Sequence, residues 1–300
     1  MPENSYAKRF HLDTQARTNL QCVLFVLPVL LLILSVTFYP AIYNVYISFR
    51  SENLRGIAAK FVGLKNYQRL FADPLVWQAL GRTFIYLAFS VILRIAFGLG
   101  LALLFKMPSK INVFSRTCII LPWIMSEIMA SACWLWLLNH QTGLINALLS
   151  AFGKDKVGWL VYPNLAMGSI IAVSVWKNLA YTYLLLFAAL EGISTEIYEA
   201  ARIDGCTTLQ LIPHITLPLI RPTLLVVCVT VSITAFSQFS LPYALTSGGP
   251  QRATQLIGLY MHEQAFTYNE LSYGATIGVL IFAINIVMTI LYNRALRQEQ

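Results

Sequence analysis

The chain alternates between long apolar segments and short polar ones. The first apolar segment runs from Cys22 to Tyr39, and the pattern predicts that its helix continues to about Tyr46. Five further apolar segments each have about the 20 residues that an α-helix needs to cross a bilayer. They cover residues 83–105, 118–138, 165–190, 222–245 and 274–292. The pattern therefore predicts six transmembrane helices, with both chain termini on the same side of the membrane.

Composition places the chain in the same class. Hydrophobic residues make up 57% of the 300 residues and charged residues only 11%, and the mean hydropathy is +0.65. A soluble domain carries roughly 25% charged residues. We therefore expect an all-α, polytopic membrane protein. The net charge of +8 comes largely from basic residues beside the apolar segments, where they fit contact with membrane lipids rather than with nucleic acid.

The polar ends of the chain predict two short tails around one membrane domain. Residues 1–20 form the first tail, residues 21–292 the six-helix domain, and residues 293–300 the second tail. The five cysteines share no paired spacing, which argues against a disulfide framework and against a metal site. No HExxH or other paired histidine motif occurs, so the four histidines are interpreted as solvated.

One polar interruption, residues 194–218, is long enough to contain helices of its own. Ser194 or Thr195 is suited to cap the first of them, because a hydroxyl oxygen can accept hydrogen bonds from the free N–H groups of the first turn. Glu196 then lies in the first turn, where the helix dipole favours an acid. Gly205 supplies the positive φ that commonly ends a helix. We therefore expect the first helix to end near Gly205.

The second half of the interruption predicts a shorter helix from Thr207 to Ile212. Pro213 lacks an N–H group and its ring collides with the preceding turn, so we expect it to stop that helix. The chain then enters the next apolar segment. The first helix protrudes between two spans and carries small residues, which suits contact with another protein.

The interruption contains residues at a recognisable spacing. They are Glu199-Ala200-Ala201, Gly205, Ile215 and Leu217-Pro218. This motif resembles the EAA loop of the permeases of binding-protein-dependent ABC importers, and the chain is most similar to the sugar permeases of the maltose and glycerol-3-phosphate type. The resemblance implies a type I importer permease fold and a loop that couples the permease to a separate ATPase. The coupling residues it implies are Glu199, Ala200, Ala201, Asp204 and Gly205.

The resemblance also implies partners and a location. The partners would be a second homologous permease, an ABC ATPase dimer, an extracytoplasmic solute-binding protein and a carbohydrate substrate. Because the EAA loop of the family faces the cytoplasm, both termini would lie there, in the cytoplasmic membrane of a bacterium or archaeon. The nucleotide-binding motif GxxxxGK[ST] occurs nowhere in the sequence, so a separate subunit would hydrolyse ATP. The chain itself is expected to be a transport subunit with no catalytic residue, cofactor or metal.

Three charged residues, Arg94, Glu127 and Lys177, fall inside predicted spans. Such charges are costly in hydrocarbon and usually face the interior of a helix bundle. Arg94 and Glu127 lie near mid-depth, so they could form an ion pair between the second and third spans, or they could line a pathway. A relay of such charges would also suit a secondary transporter driven by an ion gradient, which is the alternative function. Lys177 belongs to a Trp-Lys pair that is common in the permease family.

Two spans carry a stripe of polar residues. The stripes are Ser174, Asn178 and Tyr181 before the polar interruption, and Thr234, Ser237 and Gln238 after it. Residues spaced in this way lie on one face of a helix, so both stripes are expected to face the bundle interior. They could line the solute pathway, where amide groups would donate to and accept from sugar hydroxyls, or they could only pack the bundle. The family resemblance implies that the helices beside the EAA loop line the sugar site.

Overall fold

A computed structural model describes residues 21, 23–52, 60–106 and 110–297. In these ranges the backbone is mostly helical, and the only β-type pairing is an isolated bridge between Arg50 and Phe61. The predicted first tail, residues 1–20, lies outside the described ranges, as do Cys22 and the last three residues of the second tail.

The helices of the described ranges match the predicted architecture. In chain order they are α1 (Val23–Ser48), α2 (Lys65–Ala72), α3 (Pro74–Phe105), α4 (Lys110–Ile124), α5 (Glu127–Leu137), α6 (Leu144–Ala151), α7 (Pro163–Glu191), α8 (Thr195–Ile203), α9 (Leu209–Phe236), α10 (Ser240–Thr246), α11 (Ile257–His262) and α12 (Leu271–Arg297). Five of them, α1, α3, α7, α9 and α12, are long and apolar enough to cross a membrane. The bent pair of α4 and α5 gives a sixth when it is counted as one span, so the helices agree with the predicted all-α, six-span fold.

The third predicted span is not one straight helix. α4 and α5 meet at an angle of 107°, with the break at Met125 and Ser126. Pro122 weakens the end of α4 because it has no N–H group to donate. Ser126 then starts α5 as an extended N-cap, and its Oγ accepts a hydrogen bond from the Met129 N–H at 3.2 Å. The prediction of a continuous helix over residues 118–138 is therefore wrong.

The fifth span also departs from its prediction. α9 ends at Phe236, residues 237–239 are not helical, and α10 follows as a separate short helix. The prediction of one helix over residues 222–245 is therefore wrong at its C-terminal end. The physical reason is that hydropathy is an average over many residues, and a break of three residues inside an apolar segment changes that average little.

At its other end, α9 begins earlier than predicted. Pro213 lies in a π-helical turn, Ile212–Thr216, which joins the turn Thr208–Leu211 to the rest of the span without interruption. The wider π turn leaves room for the proline ring. The Thr216 hydroxyl also donates to the Leu211 carbonyl at 3.2 Å, which satisfies one acceptor in that turn. The expectation that Pro213 stops the helix is wrong.

The core of the bundle forms where α3 packs against α7. Gly98 permits the close approach, because a Cβ atom at this position would lie only 2.9 Å from the Thr182 Cγ2 atom. Tyr86, Tyr183 and Phe236 are among the largest buried side chains. α1 differs, because none of its most apolar stretch is buried. Its surface is therefore open to lipid or to a partner helix.

Candidate solute pathway and coupling loop

Arg94 on α3 is buried against α7. One terminal nitrogen of its guanidinium donates to the Ser174 Oγ at 2.7 Å, and the same nitrogen lies 3.5 Å from the Ser174 carbonyl oxygen. The Ser174 hydroxyl also forms a 2.5 Å hydrogen bond with the Tyr86 hydroxyl. No carboxylate of the described ranges forms an ion pair with Arg94, so the first of the two alternatives, an ion pair with Glu127, is not observed there. The reason is direction: Arg94 points into the contact of α3 with α7, whereas Glu127 lies at the break before α5.

The polar stripe on α7 divides into two parts. Ser174 is only 1% exposed and is occupied by Arg94 and Tyr86, so its role in the structure is packing. Asn178 is half-buried and donates to the Ser174 carbonyl at 3.0 Å. Tyr181 is also half-buried, and its ring centroid lies 6.2 Å from that of a tryptophan on α4. Asn178 and Tyr181 therefore retain surface that a solute could contact.

The two helix breaks meet at one polar contact. The Gln238 Nε2 donates to the Glu127 Oε2 at 3.3 Å, and both side chains are half-buried. Glu127 occupies the first turn of α5, behind the Ser126 cap, where the positive end of the helix dipole stabilises an ionised carboxylate. The sequence predicts Glu127 as an intramembrane charge and Gln238 as part of a polar stripe, and it does not predict their contact. A serine followed by an acid inside an apolar run is the signal that could have indicated the helix start.

The predicted stripe of Thr234, Ser237 and Gln238 does not form one helical face. Because α9 ends at Phe236, Ser237 is its C-cap and Gln238 lies beyond the helix. Thr234 and Ser237 are exposed, and the Thr234 hydroxyl donates to carbonyls of its own helix at 3.0 Å. The break, and not helical spacing, therefore directs Gln238 towards Glu127.

An aromatic cluster adjoins this contact. The ring of Phe239 stacks on that of His262, with 4.5 Å between the ring centroids and 14° between the planes. Tyr243 and Phe266 also approach His262, with centroid distances of 5.8 Å and 4.9 Å. The interpretation of His262 as a solvated histidine is therefore wrong, because its ring is held among aromatic side chains.

Lys177 takes part neither in the contact of Arg94 with Ser174 nor in that of Glu127 with Gln238. It is buried on α7, at 6% exposure, and its ammonium group has no ion-pair partner among the described residues. Those residues also contain no group of three His, Cys, Asp or Glu side chains that could hold a metal ion.

At one end of the bundle, α8 forms the helix that the sequence predicts between the fourth and fifth spans. Ser194 precedes it as the N-cap residue in an extended conformation, and its first residue is Thr195. No side-chain hydrogen bond caps the helix, so the expected hydroxyl cap is wrong. Gly205 follows it with φ +87°, and the Cys206 N–H donates to the Ala201 carbonyl at 3.0 Å. This pattern of hydrogen bonds closes the helix with the predicted glycine turn.

α8 has an inner and an outer face. Tyr198 is half-buried and Ala201 is 8% exposed, so both pack against the spans. The exposed residues of the motif are Glu199, Ala200, Asp204 and Gly205. Two large apolar side chains that do not belong to the motif are also exposed: Ile203 on α8 is 87% exposed, and Leu209 at the start of α9 is 81% exposed. Exposed apolar surface of this kind often marks a site of contact with another protein.

Asp73 lies at the start of α3, directly before Pro74, and joins three elements. Its carboxylate caps α3 by accepting from the Leu75 N–H at 2.9 Å, and it accepts from the Tyr260 and Tyr273 hydroxyls at 2.7 Å and 2.6 Å. Burial by itself would raise the pKa of Asp73, but these hydrogen bonds to the ionised form outweigh it and hold the pKa below its ordinary value. Asp73 therefore ties the start of α3 to α11 and α12.

A membrane bundle whose broken spans meet at an interior polar contact, with a short helix projecting from one end, has the architecture of a membrane transport subunit. Comparison with known proteins identifies the class more closely. The chain belongs to the family described as the binding-protein-dependent transport system inner membrane component, whose family model matches residues 94–297. It is therefore a multi-pass permease and not an enzyme, and the alternative of an ion-driven secondary transporter is not favoured.

Individual relatives agree with this assignment. The chain is similar to the sulfoquinovosyl glycerol transport system permease protein SmoG of Agrobacterium fabrum, with 32% identity over 282 residues, 94% of this chain and 92% of SmoG. It is 34% identical over 275 residues to the trehalose/maltose transport system permease protein MalF of Thermococcus litoralis, covering 90% of this chain and 91% of MalF. Among solved structures, a bacterial ABC transporter involved in alginate import matches with a TM-score of 0.83 at 21% identity, covering 97% of this chain and 99% of that chain. This match confirms the importer permease fold.

Proposed function

We propose that the chain is one of two permease subunits of an ATP-driven importer for a carbohydrate or a carbohydrate-like solute. The observation that carries the proposal is the exposed outer face of α8, presented between two spans by a member of this permease family. The names of the relatives support the solute class, because SmoG and MalF are named for a sugar glycoside and for disaccharides.

The partners follow from the same reasoning. An ABC ATPase dimer would bind α8, since the sequence contains no GxxxxGK[ST] motif of its own. A second, homologous permease would complete the pathway and would cover apolar surface such as that of α1. A solute-binding protein would dock at the Asp73 end of the bundle; the alginate transporter has been solved in complex with a pentasaccharide-bound periplasmic protein. In this arrangement α8 and both termini are cytoplasmic.

The outer face of α8, together with the exposed Leu209 at the start of α9, has the chemistry of a docking site for the ATPase. Ile203 and Leu209 would insert into an apolar groove, while Ala200 leaves room for close approach. The exposed carboxylate of Glu199 would meet a basic residue of the ATPase in a charge-assisted hydrogen bond. Ala201 faces the permease itself, so its small side chain would let α8 lie close to the spans.

The solute site is proposed around the contact of Glu127 with Gln238. The carboxylate offers acceptors and the amide offers both donors and acceptors, which suits the hydroxyl groups of a sugar. Asn178 adds a second amide from α7, and the Tyr181 ring can stack on the apolar face of a sugar ring. All four side chains are half-buried, so they are accessible without facing open solvent.

The proposed mechanism is alternating access. Closure of the ATPase dimer on ATP would draw the α8 helices of the two permeases together and tilt the attached spans. The site at the helix breaks would then open towards the binding protein and receive the solute. ATP hydrolysis would release α8 and return the site to the cytoplasm. Each solute hydroxyl would exchange hydrogen bonds with water for hydrogen bonds with Glu127, Gln238 or Asn178.

The test is reconstitution of the importer purified through a tag on this chain. Mass spectrometry should identify an ABC ATPase and a second permease in the complex. Proteoliposomes that also contain the binding protein should then take up at least one of maltose, trehalose and sulfoquinovosyl glycerol only when ATP is supplied. Uptake driven by a proton or sodium gradient in the absence of ATP would contradict the proposal.

A further inference from the structure

Tyr198 is the half-buried aromatic residue on the inner face of α8. Its hydroxyl forms a 3.2 Å hydrogen bond with the Thr216 Oγ1, at the entry to α9. The Thr216 hydroxyl has one proton and donates it to the Leu211 carbonyl. The Tyr198 hydroxyl must therefore be the donor to Thr216, which fixes the direction of this hydrogen bond.

The ring of Tyr198 makes a second connection. The Lys106 Nζ lies 4.4 Å from the ring centroid, in cation–π geometry. Lys106 directly follows the last residue of α3, and the same ammonium group donates to the Leu190 carbonyl in the last turn of α7 at 3.3 Å. One side chain thus links α8 to α9 directly, and to α3 and α7 through Lys106.

These connections lead towards the solute site. α9 is a continuous helix from the Tyr198 contact to Phe236, two residues before Gln238, and at 1.5 Å per residue it spans about 30 Å from Thr216 to Phe236. α3 carries Arg94, which is bonded to Ser174 on α7. A movement of α8 that is passed on to α9 and α3 would therefore shift helices on both sides of the proposed solute site.

We propose that Tyr198 is the positioning residue that passes the movement of α8 to the membrane spans. The inference rests on the proposed function, because it assumes that an ATPase moves α8. Among the described residues, no other α8 side chain forms a hydrogen bond or an ion pair with the spans. α8 is otherwise joined to them by the backbone on either side of it and by the small, buried side chain of Ala201. Loss of Tyr198 would therefore remove the directional side-chain contact and let α8 move without the spans.

The experiment uses the complete importer in nanodiscs. A cysteine-free background with Ser237→Cys reports on the proposed pathway, because Ser237 is exposed at the helix break. ATP hydrolysis is measured together with the rate at which N-ethylmaleimide alkylates the introduced cysteine, with and without ATP and vanadate. Tyr198→Leu should keep the ATPase bound and hydrolysing ATP, whereas the nucleotide-dependent change in alkylation should be lost.

The conservative variants separate the two connections. Tyr198→Phe keeps the ring above Lys106 and removes only the hydroxyl, so the nucleotide-dependent change should fall about fivefold, as expected for one hydrogen bond. Thr216→Val removes this hydrogen bond together with the one to the Leu211 carbonyl, so it should lower the response at least as much. Combining it with Tyr198→Phe should add nothing beyond Thr216→Val alone, because both variants remove the contact between Tyr198 and Thr216. Tyr292→Phe is the matched control. It removes a 2.9 Å hydrogen bond to Ser232 between α12 and α9 without touching α8, and the change in alkylation should persist.

The outcomes distinguish the inference from the proposed function. If the unsubstituted complex contains no ATPase, or if nucleotide leaves its alkylation unchanged, the proposed function fails and the role of Tyr198 fails with it. If the unsubstituted complex responds to nucleotide and Tyr198→Leu responds equally, only the role of Tyr198 is overturned. A loss of ATP hydrolysis in proportion to the loss of response would also overturn it, because Tyr198 would then serve assembly alone.

Discussion

Ile203 provides the sharpest test of how this permease holds its ATPase. Its side chain is 87% exposed on the outer face of α8, so an interface that covers it would remove nearly all of its apolar surface from water. Complete burial of an isoleucine contributes about 1.5–3 kcal/mol. Ile203→Ser should therefore weaken binding of the ATPase by about 2 kcal/mol, which corresponds to a roughly 30-fold higher Kd.

The assay is a titration of the permease pair in nanodiscs with labelled ATPase dimer. The permease itself should keep its thermal stability, because substitutions of exposed residues usually change the free energy of unfolding by less than about 0.5 kcal/mol. Ile197→Ser is the matched control on the same helix. Ile197 is 42% exposed and lies about 120° around the helix from Ile203, so its replacement should raise the Kd by a smaller factor.

Two results would refute the reasoning. An unchanged Kd for Ile203→Ser would show that the outer face of α8 is not the apolar part of the interface. Equal weakening by the two serine variants would show that the ATPase contacts α8 without regard to its exposed face, and the division of α8 into inner and outer faces would lose its functional meaning.

Three further predictions concern orientation, the solute site and the Asp73 contact. In intact cells an impermeant maleimide should label Ser247→Cys, and it should not label Glu191→Cys at the α8 end; the reverse pattern would invert the topology. Gln238→Leu and Glu127→Gln should lower transport or change the preference among sugars while assembly and basal ATP hydrolysis persist; a lower yield of complex with normal transport per complex would reduce the contact to packing. Because the pKa of Asp73 is lowered in the folded state, its stabilising effect is present above the ordinary value of about 3.9 and is lost as the pH falls through the folded pKa. Thermal unfolding of Asp73→Asn should therefore vary less with pH below about 4 than that of the unsubstituted protein, and identical pH profiles would contradict this account.

The sequence predicts those features that depend on local chemistry. Six apolar segments specify the spans because a bilayer demands both length and low polarity. The ends of α8 are also local: Thr195 begins it after Ser194, and Gly205 adopts the positive φ that the glycine turn requires. The number of spans and the positions of both ends of α8 agree with the structure, since neither depends on what other segments do, whereas the capping hydrogen bond expected from the Ser194 or Thr195 hydroxyl is absent.

The breaks in the third and fifth spans depend on more than local chemistry. Residues around Ser126 and Ser237 are as apolar, on average, as those of an unbroken helix, so hydropathy alone extends the helix through them. The structure ends α4 and α9 there because α10 packs against α5 and the freed polar groups find partners in the bundle. The Ser126 cap is local, but the contact of Gln238 with Glu127 joins residues more than a hundred positions apart, which no local pattern reports.

Glu127 shows that a similar depth in the membrane does not suffice for two opposite charges to form an ion pair. Arg94 and Glu127 are predicted at similar depth, yet Arg94 is turned into the contact with α7 and is satisfied by Ser174. The break before α5 places Glu127 at a helix start, where the dipole stabilises its charge, and Glu127 forms no direct ion pair among the described residues. Its one side-chain donor in the described ranges is the neutral amide of Gln238. A carboxylate stabilised in this way keeps acceptor capacity that an ion pair with Arg94 would have occupied, and that capacity is what a polyhydroxylated solute needs.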